Sequence, residues 1–351
     1  MVFGQFGRYK RVARPVNRLD QLANGKFYLH DGPAGRFAPD SRVGTEFVID
    51  KLEYLLALSR EHHFGRAAET CGVTQPTLSA GLKQLEEQLG ALLVQRGARF
   101  IGFTPEGERA LDWARRITTD TKAMRQEIQA LKYGLNGNLR LAVIPTAMPI
   151  VSTLTTPFRN KHPDVTFTIV SKSSIATLSL IENFEADAGI SYLDNEPLGR
   201  VRAIPLYREH YCLVTAPHAP LGDREEVAWQ DMSGLPLCLL TPDMQNRRIL
   251  DRMLSSAGAE PKVSLESNSM IGLWSHLRTG AWASIMPARL IDILGLNPEL
   301  RAIPIVGGPP APTVGLVIPH RDPLTPLIAA LATEAENLTA ELDRSAAAST
   351  R

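Results

Sequence analysis

The sequence predicts a multidomain chain of mixed α and β structure (class α+β), and three observations support this fold class. Two short segments with apolar stripes, within residues 64–89, are separated by a tight turn. Residues 107–133 repeat apolar side chains at alternating spacings of three and four, as one long helix does. After residue 138, β-rich runs alternate with helical ones, which is typical of an α/β domain.

The two segments within residues 64–89 have the signals of a helix-turn-helix. Gly72 ends the first helix, Thr74 is placed to cap the second, and Pro76 suits a first turn, where its missing N–H is no loss. The second helix has a leucine stripe, and its opposite face carries short or amide side chains. Such side chains reach phosphates and base edges in a major groove. Two ordinary surface helices would show the same periodicity, so periodicity alone leaves both interpretations open.

The elements around this pair complete a winged helix-turn-helix. A helix is predicted at residues 50–61, and two short strands at 90–95 and 101–103 form the wing. Arg96 and Arg99 in the wing are candidate phosphate contacts, and two solvated arginines are the alternative.

This segment closely resembles the DNA-binding domain of LysR-type transcriptional regulators. The family shows a phenylalanine and paired alanines in its second helix, glutamine-proline at the start of the third, and a threonine-proline-x-glycine turn after the wing. This chain has those residues at Phe64, Ala67, Ala68, Gln75, Pro76, Ser79, Lys83, Leu85, Glu86, Gly90 and Thr104-Pro105-Glu106-Gly107. Ala80 replaces the usual arginine, and Val94-Gln95 replace the wing's phenylalanine-glutamate, which affects base preference rather than fold.

The resemblance implies that promoter DNA is a partner, read by the second helix of the pair and held by the wing. RNA polymerase is a further implied partner. The residues expected at the DNA are Arg66, Thr74, Gln75, Pro76, Thr77, Ser79, Lys83, Arg96 and Arg99.

Residues 107–133 predict a long helix that pairs with a second copy of the chain. Its apolar seam repeats in heptads, and its other faces carry too many charges for the alternative, burial on all sides. The resemblance also implies a dimerisation helix, which would place two DNA readers on two half-sites. The dimerisation residues that we expect are Ala114, Ile117, Thr121, Met124, Ile128 and Leu131.

The rest of the chain predicts a largely parallel sheet with helices on both faces. The resemblance implies two such subdomains, joined by crossing strands at residues 211–216 and 313–319, as in periplasmic binding proteins. The predicted division is a disordered extension at 1–47, the winged helix-turn-helix at 48–105, the linker and dimerisation helix at 106–137, effector subdomain I at 138–215 and 313–345, effector subdomain II at 216–312, and a tail at 346–351.

Small hydroxyl and amide residues follow the predicted strands, where ligands bind in doubly wound sheets. The resemblance implies that a small-molecule effector lies between the subdomains. Helix N-termini favour negative charge, so a carboxylate or other anion is expected. Taken alone, each such residue is more often a helix cap than a ligand contact, and it is their convergence that supports a pocket. The expected effector-binding residues are Thr146, Ala147, Ser173, Ser174, Thr241, Asn268 and Ser269.

Composition and motifs give no support to other classes of function. The net charge is only +1, so DNA binding must depend on local placement of basic residues. We find no phosphate loop, catalytic serine signature or metal-ligand spacing, and we predict no enzyme, cofactor or metal. No apolar run reaches about 18 residues, so no membrane span is expected. Three scattered cysteines fit a reduced cytoplasmic setting.

Two further questions remain open at this stage. The extension at residues 1–47 is basic, and a DNA-touching arm is the alternative to simple disorder. The DNA-binding segment is similar to that of peroxide-sensing LysR-type members, which carry a reactive cysteine after the first strand of subdomain II. Residues 240–245 hold no cysteine, and Cys238 lies within an apolar strand. We therefore expect the protein to sense a small molecule. The two alternatives are a regulator of the same fold that responds through a thiol and a ligand-binding module without a DNA role.

Overall fold

The structure is a computed structural model, and it describes residues 45–97, 100–296 and 298–349. The predicted extension at 1–47, with its alternative as a DNA-touching arm, therefore lies almost entirely outside the described residues. The first elements form what we call the N-terminal unit: α1 (Thr45–Glu61), α2 (Phe64–Thr70), α3 (Gln75–Leu89), β1 (Val94–Arg96) and β2 (Phe100–Phe103).

The N-terminal unit has one core, made where α1, α2 and α3 meet. Leu55 and Leu58 of α1 and Leu78 and Leu82 of α3 are completely buried in it. Gly81 permits the close approach of α3 to α1, because a Cβ built there would lie 2.8 Å from Cδ2 of the Tyr54 ring. The strands β1 and β2 pair antiparallel as the predicted wing. The predicted winged helix-turn-helix is thus confirmed.

A long helix, α4 (Pro105–Tyr133), follows the wing. Thr104 caps it, since its Oγ1 accepts from the Gly107 amide at 2.9 Å. The first turns of α4 pack on α1. Ala114 is fully buried there in the core of the N-terminal unit, which corrects its assignment to a dimerisation seam.

The first sheet of the C-terminal domain has five strands in the order β4-β3-β5-β13-β6. The strand β3 runs parallel to β4 and β5, whereas β13 runs antiparallel to β5 and β6, so the sheet is mixed. The first subdomain contains β3 (Gly137–Val143), a 3-10 helix (Pro145–Ala147), α5 (Val151–Lys161), β4 (Val165–Ser171), α6 (Ser174–Glu182), β5 (Ala188–Tyr192), β6 (Val201–Arg208), β13 (Thr313–Pro319) and α10 (Pro326–Ser349).

The second sheet has the order β11-β7-β12-β8, and the parallel pair β9-β10 joins it through a bridge between Leu237 and Ala283. The second subdomain contains β7 (Tyr211–Thr215), β8 (Val227–Ala228), a 3-10 helix (Trp229–Met232), β9 (Pro236–Leu240), α7 (Gln245–Ser256), β10 (Lys262–Ser267), α8 (Met270–Leu277), β11 (Ser284–Pro287), α9 (Ala288–Leu294) and β12 (Arg301–Val306). None of the helices in the described ranges has the length and apolar character needed to cross a bilayer.

The boundary between the subdomains lies earlier in the chain than the predicted boundary at residue 215. The strand β7 pairs with β11 and β12, so it belongs to the second sheet. The chain therefore passes from the first sheet to the second at Glu209-His210, and it returns through residues 307–312. The elements β8, α9 and β12 were not predicted.

Candidate nucleic-acid interface and inter-subdomain cleft

The helix α3 presents the expected polar face to solvent. Thr74 caps it, because its Oγ1 accepts from the Thr77 amide at 3.4 Å and lies 2.8 Å from Oγ1 of Thr77. Gln75, Pro76, Thr77 and Lys83 are exposed, and Ser79 is half-buried. Lys83 lies 3.8 Å from the exposed carboxylate of Glu87, a weak pair that leaves its ammonium available to a phosphate.

The three arginines expected at the DNA phosphates, Arg66, Arg96 and Arg99, are less clearly available than the polar face of α3. The Arg66 side chain on α2 donates to the Glu61 carbonyl oxygen at 2.6 Å and lies 3.4 Å from the Glu61 carboxylate. A phosphate would therefore compete with Glu61 for this guanidinium. Arg99 lies outside the described residues, and the side chain of Arg96, at the end of β1, is not described either.

A buried carboxylate, Glu86, to which the sequence analysis assigned no role, connects α3 to the wing. Oε1 of Glu86 accepts from the backbone amides of Leu93 at 3.0 Å and Val94 at 3.1 Å. Two backbone donors would otherwise lack a partner in the core, which is costly. Glu86 therefore fixes the wing relative to α3. The available signal was an acidic residue beside Leu85 on the apolar stripe.

In the C-terminal domain, ends of strands from the two sheets meet at what we call the cleft. It contains a cavity of about 10 Å³, roughly the volume that one water molecule needs. Of the predicted effector-binding residues, Thr146, Ser173 and Ser174 line this cavity. The complete lining is Ile144, Pro145, Thr146, Ser173, Ser174, Tyr192, Leu240, Met244, Gln245 and Asn246.

The remaining predicted effector-binding residues do not line the cavity. Ala147 is buried in the core, and Asn268 and Ser269 are exposed, with Ser269 capping α8. Thr241 follows the lining residue Leu240, and its buried hydroxyl has no hydrogen-bond partner in the described chain. Ser173 caps α6, whereas the buried hydroxyl of Ser174 likewise has no partner there.

A polar cluster beneath the cavity was not predicted. The Tyr192 hydroxyl donates to Glu209 Oε1 at 2.5 Å, and Tyr211 donates to the same oxygen at 2.9 Å. Asn246 donates to the oxygens of Tyr192 and Tyr211, at 3.0 and 3.3 Å, and the Thr146 hydroxyl is 3.1 Å from that of Tyr192. Only the fold brings these residues together, since Tyr192 and Asn246 are 54 positions apart.

The first turn of α7 also links the two subdomains directly. Arg248 forms a two-pronged ion pair with Glu196, with N–O distances of 2.8 and 2.9 Å. Gln245 donates to the Asp194 carbonyl oxygen at 3.2 Å. Because Asp194 and Glu196 follow β5 of the first sheet, these contacts hold α7 against the first subdomain.

No basic side chain lines the cavity among the described residues. Arg247, next to the lining residue Asn246, is already paired with Asp251 at 2.8 Å and Glu266 at 2.6 Å. A negative ligand at this site would therefore have to be met by neutral donors, which are hydroxyl groups and backbone N–H groups. Three helices, α6, α7 and α8, begin directly after strands β4, β9 and β10 and could supply them.

A larger cavity, of about 680 Å³, lies between α1, α4 and the first subdomain, away from the cleft. Three of its arginines are already paired: Arg115 with Asp112, Arg140 with Asp187, and Arg321 with Asp120. Arg60 and Lys122 also line this cavity, but none of the predicted effector-binding residues does, so we place the candidate ligand site at the cleft.

The three cysteines are all free thiols in environments that disfavour the thiolate. Burial raises the pKa of Cys212 to about 11, with Asp292 adding to the shift, and burial raises the pKa of Cys238 to about 11. Burial and then Glu53 raise the pKa of Cys71. Since the thiolate is the reactive form, none of the three is activated.

Comparison with known proteins matches both parts of this architecture. The profile described as "Bacterial regulatory helix-turn-helix protein, lysR family" matches residues 49–108, and "LysR substrate binding domain" matches residues 132–339. The chain is 28% identical over 277 residues to the "DNA-binding transcriptional dual regulator OxyR" of Escherichia coli K12, covering 79% of this chain and 90% of the relative. It is 26% identical over 277 residues to a "Hydrogen peroxide-inducible genes activator" of Haemophilus influenzae, covering 79% and 92%.

Solved structures agree with the fold. A full-length OxyR variant from Pseudomonas aeruginosa superimposes with a TM-score of 0.67 at 26% identity, covering 82% of this chain and 94% of that one. Full-length CbnR in complex with its target DNA superimposes with a TM-score of 0.58 at 19% identity, covering 83% and 99%, which supports the fold alone.

The winged helix-turn-helix and the two-subdomain cleft thus define a DNA-binding transcriptional regulator with an effector-binding domain. The chain belongs to the LysR family. The family consists of transcriptional regulators rather than enzymes, and its members bind promoter DNA and small-molecule effectors and form oligomers.

Proposed function

We propose that α3 reads promoter DNA through Gln75, Thr77, Ser79 and Lys83, and that Thr74 and Pro76 set the start of that helix. The observation that carries this assignment is the exposed polar face of α3, fixed by the Thr74 cap and by Glu86. Amide side chains such as that of Gln75 can form paired hydrogen bonds to adenine in the major groove. Arg66, Arg96 and Arg99 supply phosphate contacts in this proposal.

An exposed apolar stripe along α4 supports assembly through a second copy of this chain. Large apolar side chains on it remain exposed at the heptad spacing, and Thr121 lies half-buried between them. The described chain offers nothing that covers this stripe, and a second α4 has the complementary pattern. Trp113 extends the stripe where Ala114 was expected. Its exposed members are Trp113, Ile117, Met124, Ile128 and Leu131.

A tetramer is a further proposal, because each subdomain has an open sheet edge with an exposed apolar residue beside it. The strand β4 is the edge of the first sheet, and β10 is the edge of the β9-β10 pair. Ile175 and Ile271, near the starts of the helices that follow these strands, are both exposed. If the C-terminal domains of two copies lay side by side in antiparallel orientation, the β4 edge with Ile175 of one copy would cover the β10 edge with Ile271 of the other.

The effector in this proposal is a small molecule with a carboxylate or other anionic group. The unpartnered hydroxyls of Ser174 and Thr241, and the N-termini of α6, α7 and α8, supply donors to it. The cavity holds only a water-sized group, so a larger effector requires the subdomains to separate. A ligand shifts this equilibrium only if it binds the two states with different affinity.

A thiol-based response is the second candidate, because the relative from Haemophilus influenzae is a "Hydrogen peroxide-inducible genes activator". The raised pKa values of Cys71, Cys212 and Cys238 oppose it, since a peroxide sensor needs a thiolate. We therefore favour ligand sensing over thiol oxidation. A promoter reader of this kind acts in the bacterial cytoplasm, together with RNA polymerase.

The test is fluorescence anisotropy with labelled DNA from upstream of the protein's own gene, compared with a scrambled duplex across a salt titration. We expect tight binding to the true sequence that persists near physiological salt. Small carboxylates and their uncharged amide analogues are then added as matched pairs, and only the carboxylates should change the anisotropy. Equal, weak and salt-sensitive binding to all duplexes of a promoter library would contradict the DNA-reader assignment.

A further inference from the structure

Glu209 lies at the point where the two crossings between the subdomains meet. It follows β6 of the first sheet and, with His210, leads directly into β7 of the second sheet. Its backbone N–H donates to the Pro312 carbonyl oxygen at 2.8 Å, on the returning crossing. Any change in the angle between the subdomains must therefore act on this residue.

The Glu209 side chain is 1% exposed, and groups from both subdomains surround it. Tyr192, with Thr146 behind it, comes from the first subdomain, whereas Tyr211 and Asn246 come from the second. Opening the cleft would separate these two sets and bring water to the carboxyl group. The closed arrangement thus depends on the same hydrogen bonds that bury Glu209.

No cation balances this carboxyl group among the described residues. The titratable groups that interact with Glu209 are Tyr192, Tyr207 and Tyr211. His210, the next residue in the chain, is exposed, and the Arg289 guanidinium lies over the Tyr207 ring at 4.9 Å without an ion pair to Glu209. On α7, Arg247 is paired with Asp251 and Glu266, and Arg248 is paired with Glu196. Both tyrosines donate to Oε1, and Oε2 has no partner in the described chain.

Burial without a cation disfavours the ionised form. It raises the pKa of Glu209 from 4.5 to about 7, although the hydrogen bonds from Tyr192, Tyr211 and Asn246 pull the pKa in the opposite direction. In an open cleft, water would solvate the carboxylate, and its pKa would return toward the ordinary value. The closed state is therefore the state with the higher proton affinity.

We propose that Glu209 is a proton-linked lock on the cleft: its protonated form holds the two subdomains closed, and its ionisation releases them. This inference rests on the proposed function only in that the cleft is the regulated part of the molecule. If the lock operates, any ligand that binds preferentially to the open or the closed cleft must bind with a pH-dependent affinity. The proton is then a second effector of the protein.

The sign and size of the effect follow from linkage. A group with a higher pKa in the closed state stabilises that state below the lower pKa, and this stabilisation is lost as the pH rises through the higher one. With values of 4.5 and about 7, raising the pH from 6 to 8 should lower the ratio of closed to open protein about tenfold.

The test measures cleft closure on the full-length protein without DNA. Fluorophores at Lys172→Cys and Asp243→Cys, one exposed residue on each subdomain, report closure by energy transfer in a Cys71→Ser background. The expected result is a fall in transfer efficiency between pH 6 and pH 8. Glu209→Gln, a neutral side chain that can still accept from both tyrosines, should remove the pH dependence, whereas Glu225→Gln on the exposed surface should retain it.

A second measurement keeps the proposal testable if Glu209→Gln folds poorly. The infrared band of a protonated carboxyl group in the unlabelled protein should disappear with a midpoint near pH 7. A midpoint near the ordinary glutamate pKa would overturn the proposal, as would equal pH dependence of closure in Glu209→Gln and Glu225→Gln. Because closure is measured without DNA, failure to find an operator would contradict the proposed function and leave this result intact.

Discussion

The N-terminal unit and the C-terminal domain bury their carboxylates in opposite ways. Glu86 accepts two backbone N–H groups only seven and eight residues further along the chain, inside one core. Glu209 accepts from tyrosines of two subdomains and has a second oxygen without a partner in the described chain. The hydrogen bonds of Glu86 hold the N-terminal unit in one conformation. Those of Glu209 depend on the position of the two subdomains relative to each other.

The same contrast holds for neutral polar groups. Thr74 and Thr104 in and beside the N-terminal unit cap the helices that they precede. The buried hydroxyls of Ser174 and Thr241 at the cleft have no partner in the described chain. A buried polar group without a hydrogen-bond partner destabilises a rigid core. We therefore infer that the hydrogen bonds of these hydroxyls change when the cleft opens or binds a ligand.

Glu86→Ala should give the largest effect, because it leaves the amides of Leu93 and Val94 without an acceptor. Each orphaned buried donor costs about 1–3 kcal/mol, so the N-terminal unit should lose roughly 2–6 kcal/mol of its free energy of unfolding. Native-state hydrogen exchange of α3 in the full-length protein measures this loss. The control is Glu87→Ala, whose side chain is exposed. Equal losses in the two variants would show that Glu86 does not hold the wing.

Ile128→Glu tests α4, which connects the two regions. If a partner helix covers Ile128, the variant buries two carboxylates per dimer, and the dissociation constant should rise about 100-fold or more. Sedimentation velocity across a concentration series measures it. Gln129→Glu, exposed on the same helix, adds the same charge outside the stripe and should leave the dimer unchanged. A dimeric Ile128→Glu variant would contradict the assignment of this stripe.

Local signals were sufficient to predict the N-terminal unit. Thr74 caps α3, and Gly72, where φ is +67°, lies in the turn that precedes it. Caps and turns of this kind are determined by a few neighbouring residues, so sequence reasoning finds them. The strand β13 was likewise predicted with its observed bounds.

Long-range pairing determined what sequence reasoning missed. The strand β12 contains Pro304, which argues against a strand between two others, yet β12 lies between β7 and the two-residue strand β8. Likewise, β7 was assigned to the wrong subdomain because its partners, β11 and β12, come about 70 or more residues later. The side chains around Glu209 come from four separate elements, so no local pattern could have indicated the cluster.

Gln75→Ala, in the N-terminal unit, should weaken DNA binding without changing the stability of the fold. Gln75 is exposed on the first turn of α3, so its loss should leave unfolding unchanged and weaken operator binding by about 1–3 kcal/mol, the usual size of a base contact. Anisotropy with the operator and with scrambled DNA measures the effect. Gln88→Ala, exposed near the other end of α3, is the control. Unchanged operator affinity would remove Gln75 from the readout.

The smallest expected effect concerns the ion pair of Arg248 with Glu196 across the cleft. Each side chain is more than a quarter exposed (29% and 26%), so solvent screening limits the pair to about 0.5–1 kcal/mol. A double-mutant cycle with Arg248→Gln and Glu196→Gln, followed by urea unfolding of the C-terminal domain, measures the coupling.

The matched control for that cycle is Arg202 with Glu336, a pair 3.4 Å apart that is more than half exposed and lies within the first subdomain. Its coupling should be indistinguishable from zero. Equal coupling in both pairs would mean that the contact across the cleft adds nothing specific to closure. The hydrogen bonds around Glu209 and the one from Gln245 to Asp194 would then hold the cleft closed, and the change of about tenfold in closure between pH 6 and pH 8 should persist in Arg248→Gln.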